Sequence, residues 1–330
     1  MFDFFEGVIE KLGVKLIDGF SSKLVDFITD IKKSSKGELN DKGGDSAKIG
    51  SSGYSAQIGS SGDSAKIGSS GDSAKIGSSG DYAKIGSSGY YAKIGSSGNY
   101  AQIGSSGDSA KIGSSGYYAQ IDIQGEHSVG FACGLESIVK AVKGTWISLC
   151  EYEKVNDEYI PVFALSAQIG NKEYKDFRGR ILKENEYYCL SNRKFYPVDI
   201  SDGIKIKKIS EKKKDNMIII KGTEMDDNEE MYLVKEGELS AHGKTLREAI
   251  EDLTFKKMKS EEVQNIIAEI KKTGKVNKAQ YRAITGACQY GTNKFCEQHN
   301  ITAEEIELSE LRKILIDDYG AKKFWELVGD

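Results

Sequence analysis

Proline is almost absent from this chain, and cysteine, histidine and tryptophan are scarce. The 330 residues include two prolines, five cysteines, three histidines and two tryptophans. An odd, scattered set of cysteines favours a reducing compartment over a disulfide framework. No apolar run is long enough to span a membrane, and the opening Met-Phe-Asp-Phe-Phe-Glu lacks the basic start of a signal peptide. We therefore expect a cytoplasmic protein that does not enter a membrane.

The motifs of common enzymes are also missing. The sequence contains no phosphate-binding loop, no dinucleotide-binding fingerprint and no serine nucleophile elbow. Sulfur and imidazole come together only at Cys288, Cys296 and His299, and three ligands at these intervals fall short of the four that structural zinc requires. We therefore interpret these three residues as core-facing residues of helices. We predict no enzymatic activity, no metal and no cofactor.

Glycine, in contrast, is abundant, and much of it falls in one repeated unit. Nine copies of a nine-residue unit run from Gly44 to Ile121, and a typical copy, Gly71–Ser79, reads Gly-Asp-Ser-Ala-Lys-Ile-Gly-Ser-Ser. Ala and Ile never change, Lys or Gln separates them, and Ser or Tyr precedes Ala. This period-two alternation predicts a strand with Ala and Ile inward and the other two positions outward. Gly-Ser-Ser-Gly is then the turn, made possible by the conformational freedom of glycine.

Short identical strands joined by identical turns predict a parallel β-solenoid over residues 44–123. A coil of two units gives two facing sheets, and a three-sided coil of three units is the alternative. Coils stack about 4.8 Å apart, so equivalent positions form columns. With two units to a coil, one sheet carries outward columns of two kinds. These are Lys48, Lys66, Lys84, Gln102 and Gln120, beside Ser46, Ser64, Tyr82, Tyr100 and Tyr118.

The sequence pattern and the charge of the repeats argue against calcium binding and against mimicry of DNA. Calcium-binding nonapeptide repeats read Gly-Gly-x-Gly-x-Asp-x-aliphatic-x, and alignment on the aliphatic position puts Ala74 where that pattern needs aspartate. We therefore expect no calcium ladder. The tract holds six lysines against five aspartates, while the whole chain has a net charge of −4. A solenoid that is not acidic is a poor mimic of DNA.

The segments before the repeats predict a helix and a linker. Apolar residues recur at three- and four-residue steps over residues 1–33, which indicates an amphipathic helix. This helix could cap the first coil, because an uncovered solenoid end exposes unpaired strand edges that can associate with other chains. Alternatively, residues 2–32 could mediate self-association or partner binding. Its polar face is not basic, which disfavours a membrane-surface role. Residues 34–43 are polar and predict a linker.

Beyond the repeats, the pattern predicts a β-rich cap over residues 124–204 and an α+β to helical module over 205–330. A hairpin is expected in the cap, with its turn near Asn156-Asp157. In the module, Lys205–Lys214 holds six lysines, a composition found in nucleic-acid patches and more often in solvated strand faces. Residues 278–299 have the proportions of a helix-turn-helix. Their second helix carries one lysine and one glutamate, which favours packing over DNA reading.

The repeat tract also resembles uncharacterised proteins encoded by bacteriophages and gut-bacterial mobile elements. The resemblance rests on Ser-Ala-Lys-Ile-Gly-Ser-Ser-Gly and on six further stretches, and it covers roughly residues 44–330. These stretches are Gly125–Val129, Gly144–Ser148, Tyr159–Phe163, Ser166–Gly170 and Ala241–Ala249 with Ile284–Cys288. The resemblance implies a phage or prophage protein that works inside a bacterium.

A rigid rod without catalytic motifs predicts a function in binding. With the phage resemblance, the leading hypothesis is an inhibitor that docks on a host defence protein of the anti-CRISPR or anti-restriction kind. Tyr and Lys columns can also contact bases and phosphates, so a nucleic-acid-binding solenoid is the second hypothesis. A virion or scaffold component is the third. The candidate partner-binding residues are Lys66, Lys84, Tyr82, Tyr100, Tyr118 and Trp146.

Overall fold

The computed structural model describes two compact units that divide between Val198 and Asp199. The sequence pattern predicted a boundary at 204/205. The helix predicted over residues 1–33, self-association through residues 2–32 and the linker over 34–43 all lie outside the described residues. The described residues are 44–258, 260–316, 318 and 320–329.

The first unit is a β-solenoid, as predicted. Eleven strands of four residues, β1–β11, are followed by β12 (Trp146–Val155). In order, the four-residue strands are Lys48–Ser51, Gln57–Ser60, Lys66–Ser69, Lys75–Ser78, Lys84–Ser87, Lys93–Ser96, Gln102–Ser105, Lys111–Ser114, Gln120–Ile123, Val129–Ala132 and Ile138–Ala141.

Two nine-residue units make one coil. Odd-numbered strands pair in parallel to form one sheet and even-numbered strands form the other, so each residue lies beside the residue eighteen positions later, as Ile67 does beside Ile85. The three-unit coil is therefore wrong. Parallel pairing continues through β10, β11 and the start of β12, where Val129 pairs with Trp146. The solenoid thus has about six coils and extends past residue 123, where the exact repeats end.

The strand within each unit lies later than the alternation suggested. The prediction made Ser/Tyr-Ala-Lys-Ile the strand, whereas the structure forms Lys-Ile-Gly-Ser strands such as β4 (Lys75–Ser78). The Ser or Tyr before Ala adopts the left-handed conformation, with φ of 57° at Tyr82. The predicted facing of Ala and Ile is confirmed, because every repeat Ala from Ala65 onward is fully buried. Lys/Gln and Ser/Tyr lie on the outer side, and the Ser that ends the strand, such as Ser78, joins Ala and Ile inside.

Glycine in the turn serves close packing between coils. At Gly89, a Cβ atom would lie 2.1 Å from the carbonyl oxygen of Gly71 in the preceding coil, and equivalent glycines are equally tight. None of these repeat glycines has positive φ. The predicted reason for glycine, its access to unusual turn angles, is therefore wrong. The strand glycines such as Gly86 face outward, where a Cβ would meet nothing within 4 Å.

The acidic residue of the unit bonds the next coil. The Oδ1 atom of Asp63 accepts from the backbone N–H of Asp81 at 2.8 Å, and Oδ1 of Asp81 accepts from Asn99 at 2.7 Å. The same bond joins Asp72 to Tyr90. Because a backbone N–H that finds no partner is costly, these carboxylates have a structural role in stacking the coils.

Buried serines complete the inner layer. The serine that ends the strand is buried in seven units, and its Oγ has no hydrogen-bond partner among the described residues. Burying a hydroxyl without a partner costs roughly 1–3 kcal/mol. The narrow space between the sheets admits only a small side chain here. The seven are Ser60, Ser69, Ser78, Ser87, Ser96, Ser105 and Ser114.

Larger side chains close the distal end of the solenoid. The predicted hairpin is confirmed: β12 pairs antiparallel with β13 (Glu158–Gln168) through a turn at Asn156-Asp157. On the other sheet, β14 (Tyr187–Ser191) pairs antiparallel with β11 and with β15 (Lys194–Ser201). Tyr188 and Phe195 are almost fully buried against the last coils, and Tyr188 pairs with Val139, which continues the column of repeat isoleucines.

The second unit contains an antiparallel meander followed by helices. The meander comprises β16 (Ile204–Lys214), β17 (Met217–Glu224), β18 (Glu230–Glu236) and β19 (Leu239–Gly243). Helix α1 (Leu246–Lys256) begins with a capping box formed by Thr245 and Glu248. The remaining helices are α2 (Ser260–Thr273), α3 (Lys278–Thr285), α4 (Gln289–Gln298), α5 (Leu308–Ile314) and α6 (Ala321–Val328). Two short strands that the sequence did not indicate, β20 (Lys275–Asn277) and β21 (Glu305–Glu307), pair antiparallel.

The two glycines of one unit provide a matched test of the stacking. Gly89→Ala places a Cβ against a backbone oxygen, so we expect a loss of roughly 3 kcal/mol or more in unfolding free energy. Gly86→Ala adds the same methyl group to open space and should change stability by less than about 1 kcal/mol. Urea unfolding of both variants measures the difference. Equal stabilities would contradict the close approach between coils.

Two neighbouring inward positions of β5 test the core. Ile85→Asp buries an unpaired carboxylate, so unfolding free energy should fall by at least about 3 kcal/mol. Ser87→Ala removes a hydroxyl that has no partner and should leave stability unchanged or raise it by up to about 1 kcal/mol. Thermal melts followed by circular dichroism suffice for both. A large loss in Ser87→Ala would mean that the hydroxyl makes a stabilising bond.

Candidate partner-binding surface

Three tyrosines stack along the outside of the odd-numbered sheet. Tyr82, Tyr100 and Tyr118 occupy the same position in successive coils, and we call them the tyrosine column. Their ring centroids lie 4.9 Å and 4.8 Å apart, with interplanar angles of 6°. These distances match the spacing of adjacent strands. The register of the coils therefore holds the rings nearly parallel, and no other element is needed to orient them.

Lys66 and Lys84 lie in the neighbouring column of the same sheet. Lys48, Lys66, Lys84, Gln102 and Gln120 pair in register along the first residues of β1, β3, β5, β7 and β9. Each of these strands begins two residues after the Ser or Tyr position. Within the tyrosine column, the side chain of Tyr82 is more exposed, at 55%, than that of Tyr100, at 40%. The structure thus brings five of the six predicted residues to one sheet.

Trp146 lies apart from this surface. It begins β12, which belongs to the even-numbered sheet, and it pairs with Val129 there. Its half-buried ring contacts Tyr174 edge-on, with centroids 5.3 Å apart. The two-unit coil explains the separation, because successive units alternate between the two sheets. Trp146 therefore does not share a surface with the tyrosine column.

Stacking limits what the tyrosine column can contact. Both faces of the Tyr100 ring are covered by its neighbours, and Tyr82 and Tyr118 each have one covered face. A nucleobase that stacks on an aromatic side chain needs an open ring face. Stacking leaves the outer faces of the two end rings and a row of ring edges and hydroxyl groups. Such a row suits a flat partner surface that contacts it edge-on.

The basic run in the second unit is a strand with two kinds of lysine. Lys205–Lys214 falls within β16, where Lys208 is buried and its Nζ lies 3.7 Å from Asp199 and 3.5 Å from Glu211. Lys212–Lys214 are exposed near the hairpin turn. The run is therefore partly neutralised by carboxylates and does not form a continuous cationic surface.

The cysteines and histidine of the helices have structural surroundings. Cys288 is the N-cap of α4, and its sulfur accepts from the N–H of Gly291 at 3.2 Å. Burial raises the pKa of the Cys288 and Cys296 thiols, which leaves them less reactive. The His299 ring lies against Phe295, with centroids 4.5 Å apart. In the part of the chain that the structure describes, no three His, Cys, Asp or Glu side chains are placed to hold a metal ion.

Sequence reasoning missed a cavity in the second unit. His242 ends β19, as its position before Gly243 suggested, but it also lines this cavity together with Glu224 of β17. These residues are eighteen positions apart in sequence and belong to strands separated by β18. No local motif links them. Only the meander brings them to one cavity.

Comparison with protein-family models, with curated proteins and with solved structures finds no match to this chain. The chain itself forms a β-solenoid of about six coils, with regular repeats about nine residues apart. None of the helices within the described ranges is both long and apolar enough to pass through a lipid bilayer.

A double-mutant cycle tests the tyrosine column. Replacing Tyr82 and Tyr100 by Ser, singly and together, should reveal a coupling of about 0.5–1.5 kcal/mol, the value typical of stacked aromatic pairs. Tyr82 and Tyr118 are not neighbours, so their coupling should be close to zero. Urea unfolding of the variants provides the free energies. Equal coupling in the two cycles would contradict direct ring stacking.

Proposed function

We propose that this chain is a non-enzymatic interaction protein that docks a partner protein on the tyrosine column and the adjacent Lys66 and Lys84. The observation that carries the proposal is the regularly spaced stack of Tyr82, Tyr100 and Tyr118, in which Tyr82 and Tyr100 are exposed and Tyr118 is half-buried. Tyrosine offers a large contact area at low entropic cost and is enriched at protein interfaces. Because the solenoid fixes the rings before binding, little side-chain freedom remains to be lost.

A protein partner fits this surface better than nucleic acid does. The inner ring faces are covered, which removes the stacking contacts that single strands use. The aspartates also run along the same turns, directly before the Ser/Tyr position, and the repeats hold nearly equal numbers of Lys and Asp. Phosphate binding depends on an excess of positive charge. Nucleic-acid binding is therefore the second candidate.

The identity of the partner is proposed from the resemblance of the repeat tract to phage and mobile-element proteins. A protein of that origin acts inside a bacterial cell, where host defence systems are natural targets for a binding protein without catalytic residues. We propose that the chain inhibits such a system by occupying a surface of one of its proteins, in the manner of anti-CRISPR or anti-restriction proteins. Docking blocks a target without chemistry, so no cofactor is needed.

A plaque assay tests the proposed inhibition. The chain is expressed in bacteria that carry an active CRISPR or restriction system, which are then challenged with a sensitive phage. We expect the native chain to restore plaque formation and the triple variant Tyr82→Ser, Tyr100→Ser, Tyr118→Ser to lose this effect. Serine occurs naturally at Ser46 and Ser64 of this column, so the triple variant should fold.

Tyr91→Ser is the matched control. Tyr91 has the same position in its unit but lies in the other sheet, and it is 63% exposed. This variant should inhibit as the native chain does. Full activity in the triple variant would remove the tyrosine column from the interface. Absence of inhibition by the native chain, combined with salt-sensitive binding to DNA or RNA, would favour the nucleic-acid function. Self-assembly into fibres or particles would favour a scaffold.

A further inference from the structure

The second unit encloses a cavity of about 410 Å³ between its meander and helices α3 and α4. Ile204, Glu224 and His242 line it from the meander, and aromatic side chains line it from the helices. The volume lies in the range of small-molecule sites, which are mostly apolar with a few placed polar groups. The aromatic lining residues are Tyr281, Tyr290 and Phe295.

His242 is the first polar group of this cavity. Its side chain is fully buried, and neither ring nitrogen has a hydrogen-bond partner among the residues that the structure describes. The nearest carboxylate oxygen, on Asp202, is 4.0 Å from Nε2, and Lys256 Nζ already binds that carboxylate at 2.7 Å and 2.9 Å. Burial lowers the pKa of the imidazole. The ring is therefore neutral, with one N–H donor and one nitrogen acceptor.

Glu224 is the second polar group. It is 8% exposed, and its Oε2 atom is buried without a partner in the described part of the chain. Burial, together with the nearby carboxylates of Asp227, Asp226 and Glu229, raises the pKa of Glu224 to about 7. Around neutral pH a large fraction of this side chain is a carboxylic acid, which can both donate and accept a hydrogen bond.

Two unpartnered polar groups in one cavity call for a ligand. Each buried group without a partner weakens a fold, and folded proteins rarely keep such groups without a functional reason. We propose that this cavity binds a neutral, planar heterocycle of nucleoside size, which His242 and Glu224 recognise through hydrogen bonds to its donor and acceptor edge. The aromatic side chains supply apolar contact for the flat ring.

The residues that line the cavity favour a neutral heterocycle over an anion or a purely apolar ligand. Two lysines, Lys278 and Lys294, line the cavity against four residues with carboxyl groups, so an anion is disfavoured. The four are Asp202, Glu224, Glu304 and Asp318, and Asp202 lies close to His242. A purely apolar ligand would leave both polar groups without partners. Nucleobases carry donors and acceptors side by side on a flat ring, which pairs with groups that offer both. The site lies wholly in the second unit, so it is separate from the tyrosine column.

Nucleoside titration of the full chain tests the proposal. Uridine, cytidine, adenosine and guanosine are added to the protein at up to millimolar concentration and followed by calorimetry and ligand-observed NMR. We expect at least one to bind, and its analogue methylated on the ring N–H or exocyclic amine to bind at least tenfold more weakly. The analogue comparison uses the native protein and does not depend on the folding of any variant.

Variants then assign the contacts. His242→Phe keeps a ring but removes both nitrogens, and Glu224→Leu removes both the donor and the acceptor of the carboxylic acid, so each should weaken binding at least tenfold. His127→Phe, at an 81%-exposed histidine of the first unit, is the control and should bind normally. Binding that survives methylation or either cavity variant, or no binding by any nucleoside, would overturn the proposal. The triple tyrosine variant should bind nucleoside normally, so this test is independent of the proposed docking function.

Discussion

The solenoid depends on the close approach of successive coils at the turn glycines. The Cα of Gly89 sits so near the carbonyl oxygen of Gly71 that no side chain fits between them. This contact, repeated in each coil, holds the strands in register with an offset of eighteen residues. Equivalent residues therefore form columns, and each column has its own chemistry. Every other feature of the first unit follows from this stacking.

The columns have different energetic consequences. Inside, Ala and Ile fill a thin core, while the inward serines bury hydroxyl groups that have no partner. In the turns, the Asp or Asn side chains accept N–H groups of the following coil and link the coils directly. Outside, Tyr82, Tyr100 and Tyr118 stack on one another. The Asp and Tyr columns stabilise the stack of coils, whereas the left-handed Ser/Tyr residues and the buried serines cost stability.

The buried polar groups without hydrogen-bond partners have different causes in the two units. The serine hydroxyls recur in seven units of a narrow core, so they follow from the repeat and its small side chains. His242 and Glu224 occur once each, and both line the same cavity. A repeated feature reflects the geometry of the coil. Unpartnered polar groups that occur once, beside a space large enough for a ligand, indicate ligand recognition. This contrast is the reason for assigning a ligand-binding role to the second unit.

The period of the sequence was enough to predict the solenoid and its columns, and alternation along the strand accounts for the inward Ile and the outward Lys. Ala and Ser/Tyr precede the strand, so their facing was predicted correctly although alternation along a strand is not its cause. Local pattern also predicted the hairpin at Asn156-Asp157. Tertiary contacts decided the rest. Three features join residues that are distant in sequence. They are the close approach of Gly89 to Gly71, the position of Trp146 on the opposite sheet, and the placement of His242 and Glu224 around one cavity. Local propensity carries no information about such contacts, which exist only once the chain has folded.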